Sequence, residues 1–260
     1  MLLAIDSGNT NIVFAVFDDE GGLKGEWRSS SDTERTADEF GVWLRQLMAT
    51  AKLTPEDISA AIIATVVPAT LFSLKSLCRD YFGCQPLIVG EDGVELGLKV
   101  LIKRPDDVGA DRLVNAVAAH ERYKGPLIII DFGTATTFDI INADGDYIGG
   151  VIAPGINLSL EALHMAAAQL PRVAVQRTEK VTGQNTVEAM QSGIYWGYLS
   201  LIEGLVSRLR QEHTKQQGPV MDVIATGGLA PLFTEAAECI KQADPDLTLR
   251  GLLAIHRRNS

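Results

Sequence analysis

The chain has 260 residues, of which 46% are hydrophobic and 22% are charged, and its formal net charge is −10. This length and composition are typical of a globular protein with one large or two modest domains. The negative charge argues against broad binding to nucleic acids or anionic membranes, because both need a basic surface. It leaves nucleotide binding open, since backbone N–H groups and a metal ion hold a nucleotide locally.

The cysteines and the apolar runs indicate the cellular compartment of the protein. Cys78, Cys84 and Cys239 have no metal-ligand spacing, and an odd number cannot pair fully within one chain. We interpret them as reduced thiols. No apolar run approaches the roughly 20 residues of a membrane-spanning helix, and the first run is broken by Asp6 without a basic segment before it. We therefore expect a soluble, cytoplasmic protein.

The first half of the chain begins as a strand meander and continues as alternating helices and strands. Alternation and β-branched residues predict strands over residues 2–6 and 11–17, with Trp27 near a third strand. Helical spacing and short apolar runs predict, in order, a helix over 36–51, a helix start at 54–57, a strand over 60–67, a helix from Leu71 through Tyr81 and a strand over 86–89. This order predicts a mixed sheet flanked by helices.

The second half repeats the same order of elements. The spacing predicts a helix over 111–123, strands over 127–131, 136–142 and 147–153, helices over 157–170 and 186–212, a strand over 220–226 and a helix over 231–243. Residues 247–257 fit either a strand with a short helix or one closing helix. No linker rich in Pro, Gly or Ser separates the halves.

A duplicated motif is the most informative feature of the chain. Asp6-Ser7-Gly8-Asn9-Thr10-Asn11 and Asp131-Phe132-Gly133-Thr134-Ala135-Thr136-Thr137 each follow an apolar strand and lead into another one. The duplication predicts two similar domains, residues 1–118 and 119–260, that face each other across a cleft. Such a cleft suits a polyphosphate and its metal ion, so our leading hypothesis is a nucleotide-dependent phosphotransferase.

The residue types in both turns suit phosphate binding. Glycine permits a positive φ and lets a phosphate approach the backbone, while Asn and Thr side chains and exposed amides donate hydrogen bonds. Asp6 and Asp131, at strand ends, are placed to hold cations, which prefer oxygen ligands. A single turn of this kind is often only a hairpin. Two copies in equivalent settings favour the functional interpretation.

Two further motifs add candidate roles. In Thr226-Gly227-Gly228 the glycines let a planar base lie against the backbone, and the next helix contributes its positive end, although a simple strand-to-helix turn is the alternative. In Gly109-Ala110-Asp111-Arg112, Asp111 is a candidate general base and Arg112 a clamp for an anionic group. The alternative there is a helix cap beside a solvated charge.

The remaining motifs have structural interpretations. Asn157 or Ser159, after Pro154-Gly155, is expected to do no more than cap a helix, and the segment 182–186 is expected to cap the next one. Trp196 and Tyr198 interrupt the apolar face of that helix and are interpreted as core or subunit interface. His164 is interpreted as core edge or interface.

Taken in order, the segments 6–11, 109–112, 131–137, 154–155 and 226–228 resemble those of type III pantothenate kinases. These enzymes belong to the acetate kinase, sugar kinase, Hsp70 and actin superfamily, and the resemblance covers essentially the whole chain. It implies an α/β protein with two duplicated ribonuclease-H-like domains, the actin-like ATPase fold, and a cleft between them. One departure is that residues 98–105 contain no aromatic residue where many members place one near the pantothenate pocket.

The resemblance implies ATP-dependent phosphorylation of pantothenate to 4′-phosphopantothenate, the first committed step toward coenzyme A. It implies that the ATP-binding residues are Asp6, Ser7, Gly8, Asn9, Thr10, Asn11, Ile12, Val13 and Thr134, with Gly227 and Gly228 at the base. Mg²⁺ is expected near Asp6, directly or through water. Asp131 matches the ligand position for a monovalent cation, K⁺ or NH₄⁺.

The same resemblance assigns the second substrate. Gly109, Ala110, Asp111 and Arg112 are expected to bind pantothenate, with Arg112 pairing with its carboxylate and Asp111 accepting the proton of its hydroxyl. Thr186 is expected to close the pocket from a helix. Members of the family are homodimers in which the partner subunit completes the pantothenate pocket, and neither nucleic acid nor membrane is an expected partner.

Two other functions remain open at this point. One is another small-molecule kinase or a phosphohydrolase of the same superfamily, such as an exopolyphosphatase, which we expect to lack the segment 109–112. The other is an accessory factor for transcription. The acidic composition, the lack of a basic recognition helix and an intact Asp111 weigh against that role.

Overall fold

The computed structural model describes residues 1–166, 170–215 and 220–260, which form two compact units. One unit is Met1–Glu121 with Asp246–Ser260, and the other is Arg122–Pro245. The predicted division after residue 118 lies near this boundary, but it placed the last segment with the second unit, whereas that segment groups with the first. Within the described ranges, no helix has the length and apolarity needed to cross a membrane.

A five-stranded mixed sheet forms the centre of the first unit. Its strands are β1 (Leu2–Ser7), β2 (Asn11–Phe17), β3 (Leu23–Ser30), β4 (Ala60–Thr65) and β5 (Pro86–Ile88). The order is β3-β2-β1-β4-β5, with β1, β2 and β3 antiparallel and β4 and β5 parallel to β1. Parallel neighbours need a crossover connection, and the intervening helices supply it.

Helices cover both faces of this sheet. They are α1 (Ala37–Thr50), α2 (Pro68–Phe82), α3 (Ala110–Tyr123) and, after the second unit, α7 (Leu247–Arg258), with single 3₁₀ turns at Pro55–Asp57 and Pro105–Asp107. Leu3 and Ile5 of β1 are buried with residues of α1 and α2, whereas Leu2 and Ala4 are buried with residues of α3 and α7. Burial on both faces explains why β1 is apolar at successive positions.

The second unit has a sheet of the same topology. Its strands are β6 (Leu127–Phe132), β7 (Ala135–Ile141), β8 (Tyr147–Pro154), β9 (Asp222–Gly227) and β10 (Gln242–Ala243). Their order is β8-β7-β6-β9-β10. The helices of this unit are α4 (Ile156–Ala166), α5 (Thr186–Lys215) and α6 (Ala230–Thr234).

The duplication extends to the irregularities of the strands. Asp6 pairs with Val13 across β1 and β2, and Asp131 pairs with Thr137 at the equivalent place between β6 and β7. The register shifts between Val16 and Phe17 in the first copy and between Ile140 and Ile141 in the second. A shared bulge is a designed feature of a strand pair. The predicted α/β fold with duplicated strand–turn–strand units is confirmed.

Helix lengths in the last third of the chain differ from the sequence expectations. The predicted helix over 231–243 is wrong, because α6 covers only Ala230–Thr234 and Gln242–Ala243 is a short strand. Buried Phe233, Ala237 and Ile240 have helical spacing, but the last two lie in turns that pack on the core. The helix predicted over 157–170 begins at Ile156, and residues 167–169 lie outside the described ranges. For residues 247–257 the alternative of a closing helix is confirmed.

Candidate active site

The first Asp-x-Gly turn joins β1 to β2 and is braced by the residue that follows β3. The Gly8 N–H donates to the carbonyl of Asn11 at 3.0 Å, closing the turn. Ser31 holds it from the side, since its hydroxyl donates to the carbonyl of Gly8 and its N–H donates to that of Thr10 at 2.9 Å. Asn9 and Thr10 remain exposed. The turn is therefore rigid and its polar side chains face solvent.

Two of the predicted ATP-binding residues have side chains in the core of the first unit. The Ser7 side chain is fully buried, and its hydroxyl is hydrogen-bonded to that of Thr70 at 2.9 Å. Ile12 is also fully buried, whereas Val13 is partly exposed. Any contact that Ser7 or Ile12 makes with a nucleotide must come from its backbone.

The second Asp-x-Gly turn joins β6 to β7 and lies against the backbone of Gly155. The Gly133 N–H donates to the carbonyl of Ala135 at 3.1 Å, and the Gly155 N–H donates to the carbonyl of Thr134 at 3.1 Å. A Cβ atom on Gly155 would lie 2.2 Å from the Thr134 oxygen and 2.6 Å from the Gly133 oxygen. Only glycine fits there. Gly133 and Thr134 themselves are exposed.

The glycines that end β9 lie directly against this same turn. Asp131 pairs with Thr226, and Phe132 pairs with Gly227, across the parallel strands β6 and β9. Gly227 has a φ of 89°, and a Cβ atom there would lie 2.6 Å from an Asp131 carboxylate oxygen. The sequence shows two separate motifs, but the structure joins Asp131 and Gly227 in one constellation of the second unit, with exposed Gly228 beside them.

An aromatic stack supports this constellation from the core. The Phe132 ring stacks on Phe233 of α6 with centroids 5.3 Å apart, and Phe233 stacks on Tyr195 of α5 with centroids 5.6 Å apart. Offset or parallel aromatic pairs contribute about 0.5–1.5 kcal/mol beyond the area that they bury. The stack therefore fixes the start of α6, and with it the Gly227-Gly228 turn, relative to Asp131.

Asp111 lies in the first turn of α3, where its carboxylate accepts a hydrogen bond from the Arg112 N–H at 2.8 Å. Burial raises the pKa of the Asp111 carboxyl above its ordinary value, and the Arg112 N–H and the Arg112 charge offset part of that rise. A Cβ atom on Gly109 would lie 2.7 Å from the Asp111 carboxylate oxygen, so Gly109 leaves room for it. A fixed, partly desolvated carboxylate with a raised pKa suits a general base.

Thr186 begins α5 beside a pocket of the second unit. The cap of α5 is Asn185, whose side-chain oxygen accepts from the Glu188 N–H at 2.9 Å, while the Glu188 carboxylate accepts from the Gln184 N–H at 2.8 Å. The predicted cap is confirmed. The pocket has a volume of about 720 Å³, and its lining includes Thr186, Asn185, Leu163, Met190 and Ile194. Its combination of apolar walls and a polar edge fits a small amphipathic ligand.

The carboxylates of the site fit a cation that is held partly by a nucleotide. In the part of the chain that the structure describes, no cluster of three or more His, Cys, Asp or Glu residues is arranged to hold a metal ion. Asp6 and Asp131 are single, partly exposed carboxylates at strand ends. Mg²⁺ is usually bound by one or two carboxylates together with phosphate oxygens and water, so a single carboxylate of this kind in either unit fits it.

Two features of the second unit are not predicted from the sequence. Gly155 was given no role, although its backbone braces the Thr134 turn. Of the two interpretations of Tyr198, core or subunit interface, its 7% exposure supports the core, and its hydroxyl also donates to the carbonyl of Pro154. His164 is partly buried, and its Nδ1 atom is hydrogen-bonded to the carbonyl oxygen of Leu170 at 2.7 Å. The Pro-Gly pair at 154–155 was the only local signal for the first feature.

Comparison with known proteins identifies the family. The family model for type III pantothenate kinase matches residues 2–208. The chain belongs to the type III pantothenate kinase family. A protein named type III pantothenate kinase from Paramagnetospirillum magneticum is 68% identical over 260 residues, which are 100% of this chain and 98% of the relative. One of the same name from Rhodospirillum rubrum is 64% identical, covering 100% of this chain and 99% of the relative.

Solved structures show the same fold at low identity. A candidate 2-dehydro-3-deoxygalactonokinase from Sinorhizobium meliloti superposes with a TM-score of 0.61 at 15% identity, covering 99% of this chain and 96% of the other. This likeness supports the actin-like ATPase fold that type III pantothenate kinases share with sugar kinases. At this identity it carries no information about the substrate.

Gly155→Ala is expected to destabilise the protein, because the added methyl group must displace the carbonyls of Gly133 and Thr134. Overpacking of this kind costs about 1–3 kcal/mol. Gly197→Ala is the matched control, since that glycine lies within α5 with open space at its Cβ position. The control is expected to be neutral or stabilising. Denaturant unfolding measures both, and a Gly155→Ala variant as stable as the wild type would contradict the packing argument.

Asp111→Asn is expected to be at least as stable as the wild type at pH 7. The raised pKa means that the folded state holds the proton more tightly than the unfolded state, so stability falls as pH rises above the ordinary aspartate value. Asparagine keeps the acceptor for the Arg112 N–H and removes the buried charge. The difference from the wild type should vanish as pH falls toward 4, where about half of unfolded aspartates are protonated. Denaturant unfolding from pH 4 to 8 tests this, with exposed Asp106→Asn as the control; a less stable Asp111→Asn at pH 7 would refute it.

Proposed function

We propose that the protein transfers the γ-phosphoryl group of ATP to pantothenate and forms 4′-phosphopantothenate. The observation that carries the proposal is the pair of equivalent Asp-x-Gly turns, found in a chain of the type III pantothenate kinase family. Full-length relatives with that name at 64% and 68% identity support the substrate and the reaction.

In this proposal the two turns hold the phosphates and Asp111 prepares the nucleophile. Within Asp6 to Val13, backbone amides and the exposed Asn9, Thr10 and Asn11 side chains bind phosphate oxygens, and Thr134 of the second turn also binds phosphate. Asp111 accepts the proton of the pantothenate hydroxyl as that oxygen attacks the γ-phosphorus. The bond between the γ-phosphorus and the β–γ bridging oxygen breaks, and ADP leaves with the bridging oxygen. Phosphoryl transfer depends mainly on positioning and on neutralising charge, so one aimed carboxylate is sufficient. The raised pKa of Asp111 lies closer to neutral pH than that of an ordinary aspartate. A general base works best when its pKa is near the pH at which the enzyme operates.

The substrates are bound by groups with complementary chemistry. The Arg112 guanidinium pairs with the pantothenate carboxylate, and Gly109 and Ala110 contribute backbone contacts beside it. Thr186 contacts pantothenate from the edge of its pocket. Gly227 and Gly228 lie against the adenine base, and their lack of side chains supports this role.

The cations have separate proposed ligands. Asp6 holds Mg²⁺, directly or through water, and the metal supplies charge neutralisation at the phosphates. Asp131 holds a monovalent cation, K⁺ or NH₄⁺. The contact between its carboxylate and Gly227 supports a fixed position for that ligand.

We also propose a homodimer and a cytoplasmic location. Exposed apolar side chains on α4, on the start of α5 and just before it support a second copy of the chain as the partner; they are Leu158, Leu163, Met165, Val181 and Val187. Sedimentation over a range of protein concentrations tests the dimer. The cytoplasmic location rests on the three free cysteines and stays a prediction.

A coupled ADP-release assay with ATP, Mg²⁺ and pantothenate tests the proposed reaction. The wild type is expected to release ADP only when pantothenate is present, with product mass confirming transfer to the hydroxyl. Asp111→Asn should lower turnover by about 10²–10⁴-fold, as for a lost general base, and leave ATP binding intact. ADP release that ignores pantothenate would point to a hydrolase. Near-wild-type turnover in Asp111→Asn would show that another group acts as the general base.

Asp131→Ala is expected to weaken the dependence of the rate on K⁺ more than it weakens pantothenate binding. The reason is that a hard cation loses a charged oxygen ligand, whereas pantothenate loses no direct partner. The measurement is a K⁺ titration at fixed ionic strength with Na⁺ as the balancing ion. Asp144→Ala, an exposed carboxylate in the β7–β8 turn of the same unit, is the control. An unchanged K⁺ titration in Asp131→Ala would rule out this assignment.

A further inference from the structure

Tyr198 makes a buried polar link between α5 and the end of β8. Its side chain is 7% exposed, and its hydroxyl donates a hydrogen bond to the carbonyl oxygen of Pro154. Because that proton is used, the hydroxyl of Ser159 on α4 donates to the Tyr198 oxygen, at 2.9 Å. The tyrosine hydroxyl is therefore used as both donor and acceptor.

Tyr198 holds the peptide group between Pro154 and Gly155, and this peptide braces the second Asp-x-Gly turn. The Pro154 carbonyl and the Gly155 N–H belong to the same peptide group, and that N–H donates to the Thr134 carbonyl at 3.1 Å. A peptide group is planar and stiff, so fixing its oxygen also fixes the direction of its N–H. The orientation of the Thr134 turn thus depends on a hydroxyl that lies 64 residues later in the chain.

The start of α4 completes a ring of hydrogen bonds with Tyr198 and the Pro154–Gly155 peptide. The Gly155 carbonyl accepts from the Ser159 N–H at 2.9 Å, and the Ser159 side chain returns to Tyr198. Gly155 is thereby held at its N–H, at its carbonyl and by close contact with Gly133 and Thr134. Side chains and backbone groups from four consecutive elements of the second unit converge on one peptide.

We propose that Tyr198 is a positioning residue for ATP: through the Pro154–Gly155 peptide it sets the Gly133–Thr134 turn in its phosphate-binding orientation. This inference rests on the proposed function of that turn. Tyr198 touches no substrate in this account. Its removal shifts the turn, and displacements of about 1 Å at a reacting group can cost as much as about 100-fold in rate.

The same helix supplies a matched control. Tyr195 lies three residues earlier on α5 and is fully buried, and its hydroxyl has no hydrogen-bond partner among the residues that the structure describes. Tyr195→Phe and Tyr198→Phe each remove one buried hydroxyl from α5 and keep the ring. Only the second substitution removes a hydrogen bond to the peptide that braces Thr134.

Steady-state kinetics of both variants test the proposal. Tyr198→Phe is expected to lower kcat/KM for ATP by about tenfold, the usual effect of one hydrogen bond to a buried group. In the same variant, the KM for pantothenate should stay within about twofold of the wild-type value, a difference well below the effect of one hydrogen bond. In Tyr195→Phe, the kinetic constants for both substrates should stay within about twofold of the wild-type values. Equal kinetics for the two variants, or a KM for pantothenate that rises as much as the KM for ATP in Tyr198→Phe, would overturn the proposal.

Amide hydrogen exchange separates this inference from the proposed function, because it needs no turnover. In the nucleotide-free protein, Tyr198→Phe should speed exchange of the Gly155 amide by about tenfold, and Tyr195→Phe should leave it unchanged. If the wild type failed to phosphorylate pantothenate, this measurement and the affinity for a non-hydrolysable ATP analogue would still test the positioning role. Unchanged exchange at Gly155 in Tyr198→Phe would overturn it.

A second variant covers the case in which Tyr198→Phe does not fold. Ser159→Ala removes the donor that orients the Tyr198 hydroxyl and leaves the bond to Pro154 in place. It should shift kcat/KM for ATP and Gly155 exchange in the same direction, by about two- to fivefold, a fraction of one hydrogen bond's effect. A Ser159→Ala variant that matches the wild type in both measurements would overturn the proposal.

Discussion

The second unit depends on one close approach between backbones, at the turn that follows Asp131. Gly155 lies against the carbonyls of Gly133 and Thr134, and Gly227 lies against Asp131 and Phe132, at distances that leave no room for a Cβ atom at either glycine. Backbone contact is stiffer than side-chain contact, because it has no rotamers to adjust. The exposed residues Gly133 and Thr134 are thereby held in one conformation, and a preorganised site loses little entropy when a ligand binds.

The two copies of the strand unit share a scaffold but use different braces. Both have the same strand order and the same bulge, so the position of the aspartate is fixed by the sheet in each. The first turn is held by the Ser31 side chain and backbone, whereas the second is held by the Gly155 peptide with Tyr198 behind it. The first copy also has Asp111 in its unit, and the second has Thr186 and its pocket. The duplicated strand units thus share one sheet architecture, whereas the groups that brace their turns differ.

Local patterns were sufficient to predict the fold, and long-range contacts account for what they missed. Strands β1 to β9 and the capped start of α5 follow from the sequence because periodicity and capping residues are local signals, whereas β10 lies within the helix predicted over 231–243. The helix predicted over 231–243 was wrong because Phe233, Ala237 and Ile240 are buried at helical spacing without forming one helix. The buried Ser7 hydroxyl and the bond from Tyr198 to Pro154 join residues 63 and 44 positions apart, and no local pattern shows them. The roles of the individual site residues, which rest on residue chemistry and on the family resemblance, stay predictions.

The proposed function assigns phosphate binding to each of the two duplicated turns. Amide hydrogen exchange in the presence and absence of a non-hydrolysable ATP analogue with Mg²⁺ tests it most directly, because each turn is read separately. The account predicts slower exchange on binding at residues 8–11 and at residues 133–135 together, with the same dependence on analogue concentration. Protection at only one turn, under conditions in which the analogue is fully bound, would contradict the shared role of the two copies.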